Sequence, residues 1–186
     1  MLKEYDRQIS GRLTPPQNAR PRTVENKKTG EIKEVVKWNE SGRIVGVSVE
    51  ETVSQNGDNH DLYIIDLEIT GTKGSGEHVG SRVQFKGRIN PEAWDAGDKD
   101  DGQFKMSRGT LIRLTQFVRS SGFPVKGGLS SAQMAAYFPA NGQSPLIGRE
   151  VYFEISQETS DFSPSGWNEE IRNVFPLATI KPQAEV

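Results

Sequence analysis

Two stretches decide how this chain reads: RVQFKGRI at 82–89 and SRGTLIRLTQFVRSSGFP at 107–124. In the first, apolar and polar residues alternate. Val83, Phe85 and Ile89 fall on one side, and Arg82, Gln84, Lys86 and Arg88 on the other. A period of two marks a strand with one face buried. In the second the period lengthens. Leu111, Ile112, Leu114, Phe117 and Val118 recur at helical spacing, with Ser107 as N-cap and Ser120-Ser121-Gly122 then Pro124 as the stop.

Working outward, Gly42–Glu50 alternates on Val45, Val47 and Val49. A turn cluster at Gln55–Asn59 follows. Leu62–Thr70 then places Tyr63, Ile65, Leu67 and Ile69 on one face. Its other face begins with Leu62 and Ile64, so both sides start apolar, as in a central strand. Gly71–Gly80 reads as a mobile hairpin loop and Asn90–Gly102 as an acidic loop holding Trp94. Beyond the helix, Ser130–Tyr137 suits a second short helix. Arg149–Gln157 is a strand with Val151, Phe153 and Ile155 inside. Phe162–Gly166 is a turn region and Glu170–Ile180 the last strand, with Pro176 at an edge or bulge. Three strands, a helix and two strands, joined by hairpins, imply antiparallel sheet. The expected fold is all-β: a five-stranded OB-type Greek-key barrel with one helix between strands three and four, plus an N-terminal extension. A β-sandwich with an inserted helix is the alternative.

The chain divides into a basic arm at 1–37, an OB-fold domain at 38–182 and a short tail at 183–186. Thr14-Pro15-Pro16 and Arg20-Pro21-Arg22 punctuate the arm, and Thr23–Glu25 and Ile32–Val36 could pair around Lys27-Lys28-Thr29-Gly30. At 186 residues and 33% hydrophobic content, with 19 Gly and 10 Pro, a loop-rich β protein is favoured over a helical bundle. No cysteine is present, which excludes disulfides, a thiolate nucleophile and Cys-based zinc. No apolar run approaches the roughly 20 residues of a membrane span, and Met1–Ser10 lacks a signal-type apolar stretch. A soluble, cytoplasmic protein is expected. The formal net charge is −2, yet residues 1–43 carry ten Lys/Arg against six Asp/Glu.

Several features together resemble small phage-encoded single-stranded DNA-binding proteins. They are the opening strand Gly42–Glu50, the polar turn before Leu62–Thr70, and Gly80-Ser81-Arg82-Val83. Three more are Ser121-Gly122-Phe123-Pro124 after the helix, Leu146-Ile147-Gly148-Arg149-Glu150-Val151, and Arg172-Asn173-Val174. The resemblance covers about residues 42–180. It implies an OB fold that coats transient single strands in replication or recombination, in the host cytoplasm if phage-encoded. Members commonly end in an acidic tail that recruits other proteins. This chain ends Ile180-Lys181-Pro182-Gln183-Ala184-Glu185-Val186, which leaves such recruitment open.

Binding of this kind needs a cationic groove for phosphates and aromatic faces for bases. Arg82, Lys86 and Arg88 are the first cationic candidates, sharing one strand face about 7–13 Å apart. Arg43 and Arg172 could extend the patch, and Lys73 could close over a strand. A solubilising outer face is the plain alternative. For stacking, Tyr152 breaks the inward pattern of its strand, Trp38 precedes strand one, and Trp94 lies in the acidic loop. Trp94 and Trp167 read equally as loop anchors. Tyr63, Phe85, Phe117 and Phe153 are assigned to the core. The arm, with Arg7, Arg12, Arg20, Arg22, Lys27 and Lys28, could contact nucleic acid, cross to a neighbouring subunit, or stay solvated.

No catalytic residue, metal or cofactor is expected. His60 and His78 are the only histidines. Asp58, His60 and Asp61 fit turn chemistry, and Asp95, Asp98, Asp100 and Asp101 lack the EF-hand spacing. The expected partner is single-stranded DNA, with RNA as an open alternative, and self-association through the arm. The rivals are a structural or assembly protein strapped by the arm, and a metal-dependent nuclease built on the acidic loop.

Overall fold

The computed structural model describes residues 13–177. Six strands run in chain order: β1 Arg22–Glu25, β2 Ile32–Val53, β3 Asn59–Gly74, β4 Arg82–Ile89, β5 Glu150–Thr159 and β6 Trp167–Pro176. Between β4 and β5 lie α1 Pro91–Ala96, α2 Gly102–Ser120 and α3 Ser131–Tyr137. The sheet is antiparallel throughout, in the order β4-β3-β2-β5-β6, with β1 on the start of β2.

The organising element is β2. At 22 residues it is far longer than an ordinary strand. Its second part pairs with β3 from Glu40 to Val53, and its first part pairs with β5 from Val35 to Arg43. Register shifts at Glu40/Gly42 and Ile44/Gly46 are where the β2–β3 ladder is interrupted, and such irregularities bend and twist a strand. Gly42 sits at the first. A Cβ there would come 2.8 Å from the Phe153 ring and 3.2 Å from the Glu68 carbonyl, so the close approach needs glycine.

Inward residues of β2–β6 and one face of α2 make a single core. Ile44, Ile65, Leu67, Val83, Phe85, Phe153, Ile155 and Ile171 pack with Leu114, Phe117 and Val118. Helix α2 rests against both end strands of the sheet, β4 and β6. Those two strands approach each other, but among the described residues no hydrogen-bonded ladder joins them. The expected antiparallel, mainly β architecture is present; among the described residues it is an open six-stranded sheet with three helices, where five strands and one helix were expected, and closure into a barrel is not shown. The added strand is β1, and the added helix before α2 lies in the stretch assigned to an acidic loop.

Helix α2 starts before Ser107. Asp101 is its N-cap, accepting from the Gln103 N–H, while Ser107 is buried within it. The Ser107 hydroxyl donates to the Gln103 carbonyl and accepts from the Asn90 N–H. Asn90 in turn caps α1, accepting from the Ala93 N–H. Ile112, expected in the apolar stripe, is 49% exposed. The glycine-rich loop is also shorter than its composition suggests. β3 continues to Gly74, and His78 beyond it is buried.

The boundary at 37/38 falls inside β2, and the segment before it joins the core. Leu13 and Val36 are each 1% exposed. The Leu13 N–H donates to Glu169, and its carbonyl accepts from Gln157. Arg7, Arg12, the end of the 38–182 span and the 183–186 tail lie outside the described residues.

Candidate nucleic-acid interface

The outward row on β4 forms as its alternation requires: Arg82, Gln84, Lys86 and Arg88 are exposed, and Val83 and Phe85 are buried. Its surroundings come from β3, whose register places Glu68, Asp66, Ile64 and Leu62 opposite these four in turn. The row therefore divides. Arg82 lies 4.0 Å from Glu68, and Gln84 donates to Asp66 at 2.6 Å. Arg82 is 70% exposed, so its pair is worth at most about 1 kcal/mol, yet it offsets one of the row's three positive charges. Lys86 and Arg88 lie opposite apolar, half-buried residues. Among the described residues neither makes an ion pair.

Lys86 also lines a cleft of about 740 Å³ between β4, α2 and β6, together with Gln84, Met106, Arg113, Trp167 and Arg172. It opens where the sheet fails to close. Arg113 is half-buried and donates to Gln116 at 2.7 Å and Asn173 at 3.3 Å. Burial, and then the Arg172 charge, lower its affinity for a proton, against smaller opposing effects of Glu170 and Glu154. A guanidinium stays charged at neutral pH regardless, so this wall of the cleft holds two repelling cations that an anion would relieve. Arg172 is itself tied to Glu170 at 3.1 Å and Glu158 at 3.8 Å. Glu169 and Glu170 also line the cleft, so its potential is mixed.

A second group gathers around Tyr152. Its ring has the Lys73 ammonium 5.6 Å from its centroid and Phe175 at 6.4 Å. Tyr152 and the edge of Trp38 border a smaller hollow of about 390 Å³, with Lys37 and Asn18. Trp38 itself is not an open platform. It is 8% exposed, its indole N–H donates to Glu40, and its ring lies 5.9 Å from that of His78. Trp94 is half-covered: Phe104 stacks on it at 4.9 Å with only 7° between planes. That stack ties α1 to α2, the loop-anchor role. Arg43 is exposed and stands opposite Glu150. Burial would raise the Glu150 carboxyl, but hydrogen bonds from Thr70 and Thr72 and the Arg43 charge outweigh it and hold the carboxyl below its ordinary value.

Thus Lys86 and Arg172 share one cleft, Tyr152 and Lys73 share another site that the buried Trp38 borders, and Arg43 and Trp94 belong to neither. Arg113 was missed. The available signal was Met106-Thr110-Arg113, one helical face beside the apolar stripe.

Several of the polar residues weighed for chemistry make local hydrogen bonds. The His60 ring bonds Gln103 at 2.9 Å. Asp98 and Asp101 accept backbone N–H groups of Asp100 and Gln103. Glu40, 0% exposed, takes Trp38, Ser75 and His78 on one carboxylate oxygen, and His78 reaches the Thr14 carbonyl at 2.6 Å. Among the described residues no group of three or more His, Cys, Asp or Glu is placed to hold a metal ion, and no helix is long and apolar enough to cross a membrane. No protein-family model matches the sequence, and no curated protein matches it significantly.

Proposed function

We propose that this chain is a single-stranded nucleic-acid-binding module, built on an OB-type arrangement and without catalytic activity. The carrying observation is the pair Lys86–Arg88. Both are exposed cations outside any ion pair among the described residues. They stand beside the apolar surface of Ile64 and Leu62, and Lys86 opens onto the cleft of Arg113 and Arg172. Such a surface suits a flexible polyanion whose bases offer apolar faces. The strand order supports the OB reading: one long bent strand shared by two neighbours, and a helix across the two ends of the sheet. Single-stranded DNA in replication or recombination is the expected ligand, and the net charge of −2 makes local charge the deciding factor.

Titration of fluorescent oligo-dT at low and high salt is the test. Binding should weaken steeply with salt, because phosphate contacts release counterions. No binding at low salt overturns the proposal.

A second reading, an assembly protein strapped by its arm, is favoured by one observation. The β1–β2 hairpin projects Val24 at 50% and Ile32 at 67% exposure. Light scattering separates the two: self-association lost on Val24→Thr and Ile32→Thr, with no DNA binding, supports assembly.

A further inference from the structure

Phe162 is wholly exposed, at 100%, in the loop between β5 and β6. A ring left entirely in water forfeits the stabilisation that burial gives every other phenylalanine of a core. The loop is not loosely drawn. The Ser160 N–H donates to the Gly166 carbonyl, and the Gly166 N–H to the Ser163 carbonyl, each at 2.9 Å. The Phe162 N–H donates to the Ser160 hydroxyl at 3.3 Å. The hydroxyls of Ser163 and Ser165 both donate to the Trp167 carbonyl, at 2.7 and 3.0 Å. Gly166 closes the turn with φ of 77°, a conformation open to glycine. Serine side chains thus brace the turn and hold its aromatic outward. Trp167, to which the loop is tied, lines the cleft of Lys86 and Arg113.

We infer that Phe162 is a stacking residue for an unpaired nucleobase, carried on the loop that leads into Trp167 of that cleft. This rests on the single-strand-binding reading above and adds a contact to it. A protein partner would need a contiguous apolar patch on the order of several hundred Å². The ring's neighbours in the loop are Ser160, Asp161, Ser163 and Ser165, with Pro164 the only apolar one. One ring face is enough for one base, because stacking needs a π-surface and no surrounding apolar area. Asp161 repels phosphate, so the base meets the ring while the backbone keeps to the cationic side.

The test uses the full chain and oligo-dT at several salt concentrations, comparing wild type with Phe162→Ala, Phe162→Leu and Phe162→Trp. Loss of one stack predicts about 5- to 150-fold weaker binding for Phe162→Ala. Phe162→Leu should be similarly weak, and Phe162→Trp should keep affinity with its added indole emission quenched by DNA. The salt slope of Phe162→Ala should equal that of wild type, since the ring holds no phosphate, and its unfolding midpoint should not move. Wild-type binding with Phe162→Ala or Phe162→Leu unimpaired overturns this inference and leaves the broader reading standing. A fall in the midpoint of Phe162→Ala also overturns it, because the ring would then pack on the protein. No binding by wild type overturns both.

Discussion

Two charged regions of this molecule treat charge in opposite ways. Around Glu40 and His78 the ionisable groups are buried, and each bond runs inward: to Trp38, to Ser75, to the Thr14 carbonyl. Around Lys86 and Arg88 the cations are exposed, and their β3 neighbours are apolar. Desolvating a charge is costly without partners, so the first region reads as a clasp holding the start of the described chain onto the sheet. Exposed cations outside ion pairs contribute little to folding, so the second is available to a ligand. The contrast teaches where to look for function here: not at the most connected polar residues, but at those whose partners are lacking.

The largest effect should come from breaking the clasp. Glu40→Ala strips the acceptor from the Trp38 indole, the Ser75 hydroxyl and the His78 ring together. Leaving buried donors without an acceptor costs about 1–3 kcal/mol each, to be read by denaturant unfolding. If the loss is under about 1 kcal/mol, the surface-like value, the clasp is not structural and the contrast fails.

The double variant Lys86→Ala, Arg88→Ala should do the reverse. Stability should stay within about 0.5 kcal/mol, as for surface substitutions generally. Oligo-dT affinity should fall, and the slope of log affinity against log salt should drop by about 1.4, from two lost phosphate contacts at 0.7 each. An unchanged slope would place the phosphates elsewhere. Arg82→Ala, already beside Glu68, should change the slope less, which sharpens the division within the β4 row.

The smallest effects are in pH dependence and have opposite signs. Burial, then Glu51, raise the Asp61 carboxyl above its ordinary 3.8. A carboxyl more easily protonated when folded weakens the fold once ionised. That cost is absent below the unfolded value, grows as pH rises through the folded one, and is complete at neutral pH. Glu150, held below its ordinary 4.5, stabilises above the unfolded value and loses this as pH falls through the folded one. Asp61→Asn should therefore stabilise slightly at neutral pH, by under about 0.5 kcal/mol, and Glu150→Gln should destabilise there. Both differences should shrink toward zero by about pH 2. Unfolding curves at the two pH values check the signs.

Much of the sheet could be read without coordinates. Arg82–Ile89 coincides with β4, and its exposed and buried sides are those its alternation implies. Ser130–Tyr137 forms α3 behind a Ser130/Gln133 capping box. These are local properties: side-chain period and capping depend on residues within a turn or two. Errors came where a local signal met a distant partner. Gly42 read as the start of a strand, but it is the close-approach point within a longer one, because Phe153 passes over it. Trp38 read as an outlying aromatic, but Glu40 and His78 enclose it. Ser107 read as a cap, but Asn90 and Gln103 occupy its hydroxyl.

The candidate site divides in the same way. That Arg82, Lys86 and Arg88 share an outward face was determined by the sequence alone, since alternation leaves no other arrangement in a strand. Which of them is available to a ligand was decided only by the β3 register, which sets Glu68 against Arg82 and Ile64 against Lys86. Likewise the sequence determined that Phe162–Gly166 forms a turn region. Only the tertiary structure brought Trp167, just after that turn, to the β4–α2–β6 cleft and left Phe162 in solvent. Periodicity follows from the geometry of one chain segment, whereas pairing and exposure depend on segments far apart in sequence.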